Sequence, residues 1–123
     1  MTVLLVLLGG ALGAAARYLT DHAIRSRHPS RFPWGILTVN VAGSLVAGAV
    51  GAALITAGAP EWLLTVVGTG FCGALTTFST FGLDTIRLIE NGSHRLAAAN
   101  VVLSVAAGLL AAVTGWYAVA LLF

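Results

Sequence analysis

The sequence predicts an all-α integral membrane protein, a single four-helix transmembrane domain over residues 1–123 with its third helix broken near the middle. Two observations carry that prediction. The first is scarcity of charge: 8% of the 123 residues are charged and 59% are apolar, where a soluble domain has about 25% and about 45–50%. The second is where the charges fall. Residues 1–16, 32–60, 62–83 and 96–123 hold no charged side chain, and each run supplies most or all of the ~20 residues a helix needs to cross ~30 Å of hydrocarbon.

Helix one is expected over about residues 2–20, followed by a short polar segment, 21–30, rich in arginine and histidine and bracketed by Pro29 and Pro33. A cleaved signal peptide is not expected in residues 1–16, because the arginines follow the apolar run instead of preceding it. Helix two should start near Trp34 and stop before Gly58-Ala59-Pro60, leaving a very short loop to helix three, about 61–89. Asn91-Gly92 then turns the chain into helix four, about 93–122; the same residues match a glycosylation sequon, but the turn explains them better. Trp34, Trp62, Trp116 and Tyr117 lie near span ends, where amphipathic rings favour the membrane boundary. Small residues four apart (Gly9 and Gly13, Ser44 and Gly48, Ala47 and Gly51) predict closely approaching helix backbones and an oligomer contact.

With four spans, the first and third loops share one side, and all six arginines fall at or beside it. The positive-inside rule makes that side cytoplasmic. A net charge of +2, scattered in this way, is no nucleic-acid footprint. The single Cys72 and three dispersed histidines make no convincing metal site, and Cys72 reads as a small packing residue. Gly68-x-Gly70-x-x-Gly73 matches a dinucleotide fingerprint in form only, since neither the preceding strand nor the downstream acid is present.

Polar groups inside a bilayer are costly unless paired or wetted, which makes them functional candidates. Here they are Arg17, Thr38, Asn40, Ser44, Thr69, Thr76, Thr77, Ser79, Thr80, Asn100, Ser104 and Thr114, with no carboxylate in mid-span. Cation carriers and proton relays ordinarily use such an acid, so the interior suits an anion or a neutral solute. The run Thr76-Thr77-Phe78-Ser79-Thr80-Phe81 after Gly73 is poor helix sequence, because its hydroxyls compete for backbone hydrogen bonds. A break between about Gly73 and Thr77 follows, of the kind whose freed backbone groups bind ions. Phe78 and Phe81, three apart, would share a face and could turn positive ring edges to a small anion, or simply pack. Asn40 reads as a donor to a permeating anion or as an amide linking two helices. Arg17 reads as a vestibule charge or a snorkelling helix-end residue, and Asn100 with Ser104 as helix glue or path lining.

Three segments, residues 9–18 (GGALGAAARY), 35–44 (GILTVNVAGS) and 70–81 (GFCGALTTFSTF), resemble the signature segments of the small bacterial fluoride channels, the CrcB/Fluc family. The resemblance runs through nearly the whole chain, and the third segment is highly specific. It implies a multi-pass protein of the bacterial plasma membrane that exports fluoride passively and is not an enzyme. The fold it implies is an antiparallel dimer of four-helix subunits, formed with an identical or a related chain and embedded in membrane lipid. It also implies roles: Asn40 donating to fluoride, Phe78 and Phe81 lining the pores, Ser79 and Thr80 along a polar track that Asn100 would join on helix four, beside Ser104 on the same stripe, and Arg17 near the vestibule. Gly73 and Thr76 would offer backbone carbonyls to a structural sodium ion at the dimer centre. Gly82 and Asp84 stand where many relatives are expected to have serine and glutamate, and Asn100 stands where a tyrosine is expected. The one-sided arginines favour a fixed orientation and hence a related partner chain. The alternative, a small multidrug-resistance antiporter exchanging cations for protons, relies on a carboxylate within helix one, and residues 1–20 have none. A non-transporting scaffold is the third possibility.

Overall fold

A computed structural model describes residues 1–123. It contains helices and no strands: α1 (Thr2–Arg27), α2 (Trp34–Thr56), α3 (residues 61–75), α4 (Phe78–Glu90) and α5 (His94–Ala120). With α3 and α4 taken together as Glu61–Glu90, four segments are long and apolar enough to cross a membrane. Only 18 of the 123 residues are buried, and Leu4, Leu8, Leu12, Val102, Leu109 and Leu110 all point outward. That inverts the pattern of a water-soluble fold and suits a hydrocarbon solvent.

The predicted spans are present, with one correction. α1 continues past residue 20 to Arg27, so most of the expected polar segment is helical. Asp21 accepts from Arg25 Nε at 2.9 Å, an i,i+4 pair that supports the extra turns, and Pro29 lies just beyond the end. The other ends agree within two residues, the scatter natural to fraying helix termini. Asn91-Gly92 forms the expected turn, with Gly92 at φ +75°.

Two backbone-to-backbone seams hold the bundle. α1 lies against α3, where a Cβ on Gly9 would meet the Val66 carbonyl and one on Gly13 the Phe71 carbonyl. α2 lies along α5, where a Cβ on Gly48 would meet the Ala112 carbonyl and one on Gly115 the Leu45 carbonyl. Gly9, Gly13 and Gly48 were legible as close-approach positions, whereas Gly51 faces the Trp116 ring at an ordinary 3.6 Å. A small apolar core of Ile36, Val39 and Leu75, flanked by Ala16, Phe71 and Phe81, sits where α1, α2 and the third span converge.

The third span carries two irregularities. Leu64–Cys72 is wound as a π-helix, so that the Gly73 amide reaches back five residues to Gly68 O. This widened coil was not expected from the sequence; such segments often lie beside functional sites. The expected break falls at Thr76 (φ −80°, ψ 156°) and Thr77 (φ −150°, ψ 127°), both extended, and the helix restarts at Phe78.

Candidate functional site

The break places peptide groups inside the membrane without their helical partners, and each must be satisfied from elsewhere. In an unbroken helix the Thr77 amide would bond Gly73 O and the Thr80 amide would bond Thr76 O. Instead, Thr77 N–H donates to Asn40 Oδ1 at 2.7 Å, and Thr80 N–H donates to Thr77 Oγ1 at 3.2 Å, an N-cap for α4. Asn40 Nδ2 returns a bond to Thr77 O at 3.0 Å. The Asn40 amide therefore acts as a surrogate peptide, reading both polar groups of one extended residue. Arg17 Nη1 donates to Thr76 O at 3.3 Å, and the Thr76 hydroxyl turns back to Cys72 O at 2.9 Å. Arg17 is thus half-buried against the break instead of reaching freely to the membrane surface.

Beside the break lies a cleft of about 290 Å³ between α2, α4 and α5. Asn40, Ser44, Thr77, Phe78, Phe81 and Ser104 all line it, and no carboxylate does. The two phenylalanine rings have centroids 5.7 Å apart with planes tilted by 49°, so they do not stack face to face. Phe78 is 83% exposed, whereas Phe81 is half-buried. Ser79 and Thr80 cluster about the capping hydroxyl, at 3.4 and 3.2 Å from Thr77 Oγ1, and do not line the cleft.

The two helix-four residues part company. Asn100 is 1% exposed and away from the cleft; its Nδ2 donates to Thr85 Oγ1 at 2.9 Å, tying α5 to α4. Ser104 reaches the cleft and donates to Asn100 Oδ1 at 3.3 Å. Thr85, which sequence reading did not single out, donates to Phe81 O at 2.8 Å and completes this chain. Its only sequence signal is its spacing, four residues after Phe81.

The distribution of protons decides what the cleft can bind. The hydroxyls of Ser44 and Ser104 are committed to Asn40 O and Asn100 Oδ1. Asn40 Nδ2 carries two hydrogens, and Thr77 O takes one. The second has no acceptor in this chain, and the amide that carries it lines the cleft and is fastened to the break by two hydrogen bonds.

Gly73 and Thr76 border a second, shallow groove of about 280 Å³ with Gly43, Ser44 and Cys72, which meets the cleft at Ser44 and Thr76. The turning away of the Thr77 and Thr80 amides releases the carbonyls of Gly73 and Thr76 from their helical bonds. Oxygen donors of this type suit a hard cation, but Thr76 O already accepts from the Arg17 guanidinium, so in this chain the Gly73 carbonyl is the freer of the two donors that the resemblance assigns to sodium.

At the arginine-bearing end a polar cavity of about 370 Å³ is lined by Arg25, Arg31, Arg87, His28, Asn91 and Asp84, among others. Asp84, one turn beyond Phe81 on α4, is 8% exposed, a buried carboxylate that the sequence reading left at the margin of its apolar run. It stands 3.8 Å from Arg25 Nη2 and 3.9 Å from Arg87 Nη1.

Residues 4–116 match the family model described as CrcB-like protein, Camphor Resistance (CrcB). A protein of Nocardia farcinica named fluoride-specific ion channel FluC 1 is 57% identical over 109 residues, 89% of this chain and 74% of that protein. One of the same name from Frankia casuarinae is 50% identical over 120 residues, covering 94% and 93%. A fluoride-specific ion channel FluC 2 of Rhodococcus jostii is 46% identical over 116 residues, covering 94% and 96%.

Proposed function

This chain belongs to the CrcB-like family, and from that premise we propose that it is a fluoride-selective channel of the bacterial cell membrane through which fluoride leaves the cytoplasm passively. The observation that carries the reading in this molecule is the Asn40 clamp on Thr77, which holds an amide with one unused N–H in the lining of a cleft edged by Phe78 and Phe81 and free of acids. Fluoride is small and accepts hydrogen bonds strongly, so a rigid neutral donor can replace part of its water without trapping it as a fixed cation would. The electropositive ring edges add attraction for an anion and none for a cation. A membrane potential contributes ~2.3 kcal/mol per charge for each ~100 mV, which drives export without a chemical fuel. No catalytic role is assigned to any residue, and an acid-free cleft is a poor basis for exchanging cations against protons.

A single subunit leaves the path half-walled. Phe78 is 83% exposed, and a Cβ on Gly73 would meet nothing within 4 Å. An antiparallel second subunit would cover these faces and bring a second pair of Gly73 and Thr76 carbonyls to a shared structural sodium ion. Because all six arginines lie towards one end, the favoured partner is a related chain of opposite fixed orientation.

Efflux from liposomes tests the reading: the reconstituted protein should release fluoride rapidly and chloride hardly at all. Absence of fluoride efflux, or equal chloride efflux, overturns the channel assignment. Robust fluoride flux from this chain purified alone overturns the need for a related partner and leaves the identical dimer.

A further inference from the structure

The arginine-lined cavity poses a problem that the conduction pathway alone does not solve. Guanidinium groups bind phosphate and other oxyanions through paired N–H donors, more tightly than they hold a monatomic halide. A cavity of about 370 Å³ bordered by Arg25, Arg31 and Arg87 has ample room for such an ion, given that one water occupies about 30 Å³ of liquid. By the positive-inside rule this end faces the cytoplasm, where phosphate and its esters are abundant. A path that opened through an unguarded cavity of this kind would be plugged.

The seat between two of these arginines already has an occupant. Asp84 presents Oδ2 to Arg25 and Oδ1 to Arg87, at 3.8 and 3.9 Å. Both separations exceed hydrogen-bond length, so the carboxylate neutralises the pair without using up their donors. Its Oδ2 is buried and has no hydrogen-bond partner. Arg25 is steadied from the far side by Asp21 at 2.9 Å. Asp84 has the shape and charge of the oxyanion it would keep out, and it is tethered to the backbone one turn from Phe81.

We propose that this cavity, joined to the cleft by the α4 turn from Phe81 to Asp84, is the cytoplasmic mouth of the path, and that Asp84 is a specificity-determining residue there, a built-in carboxylate that occupies the seat between Arg25 and Arg87 and so keeps oxyanions of the inorganic phosphate class from blocking it. This rests on the channel reading and deepens it. A monatomic anion passes beside the carboxylate and still meets unsaturated guanidinium donors; a tetrahedral oxyanion must displace Asp84 to gain its paired contacts.

The test is fluoride efflux from liposomes with and without millimolar inorganic phosphate on both sides, each variant referred to its own phosphate-free rate. Wild type should be insensitive. Asp84→Asn should be slowed about tenfold by phosphate, the factor expected when a charge-assisted contact becomes available to a competitor. Asp84→Glu should stay resistant, and adding Arg87→Gln to Asp84→Asn should restore resistance, a rescue that a merely structural role would not give. Asp84→Ser carries the same test should the asparagine variant not assemble. Equal insensitivity of wild type and the uncharged variants overturns the proposal, as does wild type that is itself blocked. Absence of efflux from wild type in phosphate-free buffer would instead overturn the channel reading beneath it.

Discussion

The two halves of the third span are held by opposite means. α3 lies on α1 through glycines, with carbonyls of one backbone where the other would have carried a Cβ at Gly9 or Gly13. α4 is fastened by side chains: Asn40 at its start, and at its middle both Asn100 to Thr85 and arginines around Asp84. A seam of bare backbone has no slack, since nothing in it can rotate away. Beyond the Asn40 clamp, a seam of single hydroxyl contacts and long ion pairs has more freedom to adjust, and α4 is also the most amphipathic helix of the chain. The cleft lined by Asn40, Phe78 and Phe81 borders the second kind of wall. The first kind supplies the rigid frame.

Breaking the rigid seam should have the largest effect. Gly13→Val puts a side chain onto the Phe71 carbonyl and should cost about 3 kcal/mol or more; the expected result is loss of the monodisperse, folded protein on size exclusion. Next comes the clamp. Asn40→Ala leaves the amide and carbonyl of Thr77 unpaired in a buried setting, at about 1–3 kcal/mol for each group. Fluoride flux should fall to near background while some folded protein survives; full flux would show that the clamp is dispensable.

The adjustable wall should respond more mildly. Phe81→Ile and Phe78→Ile remove the ring edges but keep apolar bulk, and each should slow flux about tenfold, the rate equivalent of roughly 1.4 kcal/mol, with assembly intact. Unchanged flux in both variants would refute the ring-edge mechanism. Asn100→Leu removes the tie to Thr85 at a distance from the cleft, so a loss of about 1 kcal/mol in stability with only a small decrease in flux is expected. A collapse of flux in that variant would make α4 and α5 a single functional unit and blur the distinction between the walls.

The sequence made the frame legible because a bilayer leaves few choices: charge-free runs became spans, and the run of hydroxyls after Gly73 became a break. Asn40, Phe78, Phe81 and Ser104 do meet in one cleft. What stayed hidden depended on contacts between distant residues. Nothing local says that Arg17 reaches Thr76, 59 positions away, or that Asn40 takes over the peptide of Thr77 rather than facing only the path. The extension of α1 to Arg27 was missed because polar residues were read as loop, although the spacing of Asp21 and Arg25 favours helix. The π-helical winding has no signature in residue type. Asn100 shows the limit most clearly: one residue type at one spacing serves two readings, and the partner it takes, Thr85, is not visible in the sequence.

The gap at Thr76 and Thr77 has an electrical consequence. It sets the C-terminal end of α3 and the N-terminal end of α4 two residues apart inside the membrane. Aligned peptide dipoles leave roughly half a negative charge at the first kind of end and half a positive charge at the second. The Arg17 guanidinium stands against the negative pole at Thr76 O, and the positive pole at Phe78 opens on the cleft. Two extended residues thus divide one apolar span into a negative pole beside Arg17 and a positive pole beside the cleft, and that positive pole comes from backbone that no change of pH can discharge.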